Sequence, residues 1–137
     1  MQKNKVAAIV AEYNPFHAGH AWMVNQLRGQ GYETIICVMS GPFVQRAEPA
    51  FFPAHVRAAA ALAGGVDLVL RLPAPYAVAG AEAFATGGEG LLSALGCADI
   101  LAFGSEAGEA EPLCEIADML YGEEFKSALQ AQLAKGT

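Results

Sequence analysis

Val6-Ala7-Ala8-Ile9-Val10-Ala11-Glu12-Tyr13-Asn14-Pro15-Phe16-His17-Ala18-Gly19-His20 is the stretch that decides the fold. Val6 to Ala11 is apolar without alternation, the pattern of a strand buried on both faces of a parallel sheet. A short turn follows, and Gly19 to Arg28 has helical character, closed by Gly29 and Gly31. Strand, turn and helix in that order place His17 and His20 at the strand's carboxyl end, where open α/β sheets bind nucleotides.

Working outward, three more apolar runs read as buried strands: Thr34 to Met39, Val66 to Leu72 and Ala98 to Phe103. Between them Ala54 to Ala63 and Ala81 to Leu95 read as helices, closed by Gly64, Gly65 and Gly96. Glycines within Ala79 to Gly90 leave the start of the second of these helices open. The alternation predicts an α/β fold, a Rossmann-like open parallel sheet with helices on both faces. Beyond Phe103 the chain turns polar, and the acidic run Glu106 to Glu111 reads as a solvated loop. Pro112 to Leu120 and Glu123 to Lys135 then read as helices. With 137 residues and 54% hydrophobic composition, the expectation is a single domain over 1–137.

A net charge of −6 with only eight Lys and Arg argues against a broad nucleic-acid surface, which relies on clustered basic residues. Cys37, Cys97 and Cys114 are odd in number and lack CxxC spacing, so a disulfide framework is not expected and a reducing compartment fits better. No apolar run reaches membrane-spanning length, and Lys3 and Lys5 lead straight into a strand with no cleavage site. A cytoplasmic protein without a membrane partner is the expectation.

The HxGH cluster suits a triphosphate. Its imidazoles are three residues apart, and Gly19 removes a side chain that would keep phosphate from the backbone. In adenylyl transfer an oxyanion attacks the α-phosphorus and pyrophosphate leaves. The catalyst must stabilise charge on non-bridging oxygens and hold the ends in line. Imidazole N–H donors and helix-terminal amides can do this, and no covalent nucleophile is needed. The plain alternative makes His17 and His20 surface or capping residues. A zinc site is weaker because no further ligand set is evident, and no metal site is assigned. Ser40 and Gly41 end the second strand, either lining the same crevice or forming an ordinary turn. Arg46, in a long connection where binding residues often sit, is compatible with phosphate contact or with a surface ion pair. Arg57, on a predicted helix, carries the same two readings, and Arg71 near a strand end either reaches solvent or faces the crevice.

Three segments in order, Ala11 to His20, Val38-Met39-Ser40-Gly41-Pro42-Phe43-Val44-Gln45-Arg46-Ala47-Glu48-Pro49-Ala50 and Phe103-Gly104-Ser105-Glu106, resemble the tRNA(Met) cytidine acetate ligase family. That family belongs to the HIGH-type nucleotidyltransferase superfamily. The resemblance implies ATP, with Mg2+, used to activate acetate as acetyl-adenylate, followed by acetyl transfer to N4 of the wobble cytidine of elongator tRNA(Met). It implies His17 and His20 as catalytic residues. ATP contacts are implied at Val10, Ala11, Glu12, Tyr13, Asn14, Pro15, Phe16, His17, Ala18, Gly19, His20 and Gly104, with Ser40, Gly41, Arg46, Arg57 and Ser105 as further candidates. The chain departs from the family pattern at Pro42, where asparagine is common, at Ala47, where glycine is common, and at Pro53-Ala54, where an Asp-Lys pair is common. Members are longer, so the resemblance covers their N-terminal part, and the main tRNA surface is expected elsewhere. Two alternatives stay open: a HIGH-type nucleotidyltransferase acting on a small phosphorylated acceptor, and an inactive nucleotide-binding module.

Overall fold

The computed structural model describes residues 4–105 and 108–136. They pack as two compact units, one up to Phe103 and one from Gly104.

In the first unit, β1 (Val6–Ala11), β2 (Thr34–Met39), β3 (Leu68–Arg71) and β4 (Ile100–Ala102) form a parallel sheet in the order β3-β2-β1-β4. The first three strands step outward in one direction, and the fourth returns to the other side of β1. The topological switch therefore falls between β1 and β4, at whose carboxyl ends such sheets hold ligands. Helix α1 (Ala18–Gly29) connects β1 to β2, α2 (Ala54–Ala63) connects β2 to β3, and α3 (Ala74–Ala77) with α4 (Ala81–Leu95) connects β3 to β4.

Residue parity along the strands divides the core between the two faces. Ala7, Ile9, Ile35, Cys37 and Met39 pack with Val24 of α1 and Ala61 of α2. Ala8, Ile36 and Val38 pack instead with Ala77 of α3 and with Phe84 and Leu92 of α4. Both faces are covered, so the strands have no solvent side and carry no alternation. At the amino edge Arg28 closes the sheet: it pairs with Asp67 at 2.7 Å and donates to the Gly65 carbonyl, while Asp67 accepts from the Ile35 N–H.

β1, β2, α2 and α4 have the predicted bounds. β3 and β4 are shorter than their apolar runs: Val66 and Leu72 are buried but lie outside the ladder. The four-residue α3 was not foreseen, because one turn is too short to show a period. Helix α4 begins at Ala81 despite its glycines, which have a packing reason. A Cβ on Gly87 would lie 2.3 Å from the Tyr76 ring, and one on Gly88 would lie 2.5 Å from Val10 Cγ1.

The second unit holds α5 (Glu111–Tyr121) and α6 (Glu123–Leu133), neither of which has a buried residue. Glu111 opens α5 and does not belong to the acidic loop, while Glu106 lies outside the described residues. Among the described residues no helix is long and apolar enough to cross a membrane.

The contact of Gly88 with Val10 is testable. Gly88→Ala should destabilise the protein by about 1–3 kcal/mol in urea unfolding through overpacking, against the ~1 kcal/mol that helix propensity alone would return. Adding Val10→Ala should recover part of the loss, because the two side chains compete for one space.

Candidate nucleotide site

The end of β1 is built to present an imidazole pair. Tyr13 takes a left-handed backbone (φ 49), the Asn14–Pro15 peptide is cis, and His17 in extended conformation becomes the N-cap of α1. The His17 Nδ1 accepts from the Gly19 N–H at 3.1 Å. In return the His20 Nδ1 accepts from the His17 N–H at 3.2 Å. The two rings stack at 3.7 Å between centroids, 24° from parallel. This reciprocal cap satisfies donors that a helix start otherwise leaves open. It also fixes the tautomer: with each Nδ1 accepting, a neutral ring carries its proton on Nε2. Both histidines thus keep an Nε2–H donor for a ligand at a helix amino terminus, an electrostatic setting that favours anions.

Gly19 has a further duty that its spacing did not reveal. A Cβ there would lie 3.1 Å from His17 Cε1, so its absence lets the imidazole fold over the helix start. Beneath the pair lies an aromatic floor: Tyr13 meets the His20 ring at 4.7 Å and the Phe16 ring at 4.9 Å, both edge-on. Phe16 in turn fills the space that a side chain on Gly64 would need. Tyr13 is buried, and its hydroxyl, beside the Cys37 thiol, has no hydrogen-bond partner of normal geometry among the described residues. Burial pushes that hydroxyl's pKa up and the Cys37 thiol to about 12, so both stay neutral. His20 is half-buried. Burial, then the neighbouring His17, hold its pKa below the ordinary imidazole value.

Arg57 is 1% exposed, and its guanidinium crosses the carboxyl ends of β1 and β2. Its Nε donates to the Phe52 carbonyl at 3.0 Å; Nη1 donates to the Glu12 carbonyl and to Ser40 Oγ; Nη2 donates to the Ser40 carbonyl at 3.1 Å and to the Gly41 carbonyl. All five N–H groups have acceptors, leaving none for a phosphate. Burial lowers the pKa of this group, and the Glu12 carboxylate raises it. Arg57 therefore positions the site by fixing the chain on either side of it. Ser40 and Gly41 are buried within the same clamp, where the second strand ends. Glu12 and Asn14 also face inward: Glu12 Oε1 accepts from the Gln45 N–H at 2.8 Å and Asn14 Oδ1 from the Phe51 N–H at 2.7 Å.

Arg46 is exposed in a one-turn 3-10 segment, Gln45–Ala47, and makes no hydrogen bond or ion pair among the described residues. Arg71 is exposed at the end of β3, with its stem against Gly41. Three of the four arginines, Arg46, Arg57 and Arg71, thus lie on the carboxyl side of this acidic chain's sheet. Val10 and Ala11 end β1, Ala18 opens α1, and β4 pairs directly with β1. Gly104 and Ser105 begin the second unit, and Glu106 lies outside the described residues. Among the described residues no group of three or more His, Cys, Asp or Glu could hold a metal ion. Sequence reasoning missed the clamp. Its signal was a lone arginine in Ala54-His55-Val56-Arg57-Ala58-Ala59-Ala60-Ala61, a helix otherwise small and apolar except for His55.

A family model described as HIGH Nucleotidyl Transferase matches residues 4–137. The tRNA(Met) cytidine acetate ligase of Anoxybacillus flavithermus is 51% identical over 117 residues, which are 85% of this chain and 29% of that protein. The protein of the same name from Syntrophomonas wolfei is 46% identical over 134 residues, 96% of this chain and 32% of its own length. The crystal structure of Thermotoga maritima TmcAL bound with alpha-thio ATP superposes with a TM-score of 0.88 at 41% identity, covering 97% of this chain and 33% of that one. The chain spans about a third of the length of the curated relatives it matches.

Two measurements probe the geometry. Arg57→Lys keeps the charge but cannot reach five acceptors, and should cost about 2–4 kcal/mol in denaturant unfolding, because buried carbonyls lose their partners. Unchanged stability would refute the clamp. A histidine whose folded pKa is depressed adds stability that is fully present above the unfolded value of 6.5 and is lost as pH falls through the folded one. The melting temperature should therefore fall on acidification below about pH 6.5, and His20→Gln should flatten that fall.

Proposed function

From the chain's membership of the HIGH nucleotidyl transferase family, we propose that the carboxyl end of β1 binds ATP and promotes attack on its α-phosphorus. One observation carries this reading: His17 and His20 are locked through Nδ1 in a stacked cap that leaves both Nε2–H groups for phosphate oxygens. The fit is chemical as well as geometric. A helix amino terminus and two imidazole donors offer the hydrogen bonds and the positive potential that a triphosphate needs. Magnesium would enter with the triphosphate and supply charge neutralisation there.

The acceptor follows from the relatives' names. An acetate oxygen attacks the α-phosphorus, the new O–P bond forms as the bond to the bridging oxygen breaks, and pyrophosphate leaves. The cytidine N4 of elongator tRNA(Met) then attacks the acetyl carbon, AMP departs with the electron pair of the broken C–O bond, and the surplus N4 proton passes to the departing phosphate or to water. His17 and His20 act in the first step by stabilising charge on the non-bridging oxygens. Val10 to His20 form the wall of the ATP site. The residues of this chain that carry the reading, His17, His20 and the start of α1, serve nucleotide binding and adenylate formation. A cytoplasmic location, where ATP and tRNA are at hand, fits this reading.

Acetate-dependent exchange of labelled pyrophosphate into ATP tests it. His17→Asn keeps a capping oxygen but removes the imidazole. It should lower exchange by about 10²–10³-fold, as loss of an oxyanion donor does, with thermal stability retained. Exchange that ignores acetate and needs a phosphorylated acceptor would point to a different nucleotidyltransferase. ATP binding without exchange would leave a nucleotide-binding module.

A further inference from the structure

The connection between β2 and α2 is held from behind and bare in front. Its backbone is tied at Gln45 by Glu12, at Phe51 by Asn14 and at Phe52 by Arg57. Internal hydrogen bonds from Val44 N to Glu48 O at 2.9 Å and from Ala50 N to Pro42 O at 3.0 Å draw it into a narrow hairpin. At its tip Arg46 and Ala47 both take left-handed backbones, with φ of 62° and 59°. A loop pinned at so many points has a defined shape, yet its aromatic side chains are turned to water: Phe51 is 81% exposed, Phe52 49% and Phe43 48%. Apolar rings held rigidly in solvent forgo burial, which is unfavourable unless something covers them.

We propose that this loop is a stacking platform for an unpaired nucleobase of the acceptor RNA, with Phe51 supplying the ring face and Arg46 meeting the phosphate backbone. The proposal rests on the acceptor reading given above, and three observations favour this occupant. Asn14, which anchors Phe51, lies three residues before His17, so the platform adjoins the adenylate site on the same unit. An amine on a base can reach an acyl-adenylate only when the base is unpaired, and proteins hold such bases by stacking them on aromatic rings. The chain's net charge of −6 disfavours duplex binding, which depends on many phosphate contacts, whereas one stacked base and one arginine suit a single strand.

Fluorescence anisotropy of a labelled short oligocytidylate, with a duplex of equal length as control, reads the platform directly. The parent should bind the single strand in preference to the duplex. Phe51→Ala and Phe51→Leu should each weaken that binding by about 5- to 150-fold, the range found when a stacking aromatic is truncated. Phe51→Trp should preserve or tighten it. Because Phe51 is exposed, these variants should melt like the parent. Failure of the parent to bind the single strand, equal binding by Phe51→Leu, or equally tight duplex binding would each overturn the platform. ATP calorimetry on the same samples reports on the adenylate site separately. A parent that stacks the oligonucleotide but ignores ATP would sustain the platform and overturn the nucleotide reading.

Discussion

A single buried guanidinium holds together the edge of the sheet on which the site is built. Carrying a charge out of water costs several kcal/mol, so a buried arginine survives only where nearly every N–H finds an acceptor. Arg57 meets that condition with five acceptors drawn from the ends of two strands and from the loop before its own helix. The carbonyls of Glu12, Ser40, Gly41 and Phe52 have left the regular ladder, and Arg57 supplies the donors that the sheet no longer provides. Removing it would strand these groups together.

The site's geometry follows from that anchorage. With the Glu12 backbone fixed, the chain passes through Tyr13, in left-handed conformation, into the turn that sets His17 at the start of α1. The Glu12 and Asn14 side chains are occupied with the neighbouring loop, which leaves the two imidazoles and the helix amides as the groups free to meet a ligand. Their stacking gives the pair a chemical bias. Burial, and then the His17 ring stacked 3.7 Å away, favour the neutral form of His20, with its proton on Nε2.

Much of this was legible in the sequence because the signals were local. Unbroken apolar runs marked strands buried on both sides, and HxGH following such a run marked the passage from β1 into α1. The order of the strands was not legible. That β4 pairs with β1 follows from a long crossover, and only this pairing sets the switch point beside the histidines. Side-chain partners that lie far away in sequence were left open. Arg57 and Ser40 look like binding candidates by residue type, yet the Arg57 guanidinium is taken up by backbone carbonyls and by Ser40 Oγ, and Ser40 accepts from it through both its hydroxyl and its carbonyl. Gly87 and Gly88 look like helix breakers, yet they admit Tyr76 and Val10. Ala47 stands in a left-handed conformation, φ 59°, that favours glycine, so the alanine there carries a backbone cost invisible in the sequence.

The central claim is that a triphosphate sits on the His17–His20 cap. Titrating the 15N-labelled protein with ATP and following its amide and imidazole resonances tests this most directly. The predicted result is that the largest shifts fall on the amides of residues 18–21 and on the Nε2 nuclei of His17 and His20, with the Nδ1 nuclei little changed. Shifts concentrated at the opposite edge of the sheet, around Ala98 and Asp99, with both imidazoles silent, would contradict it.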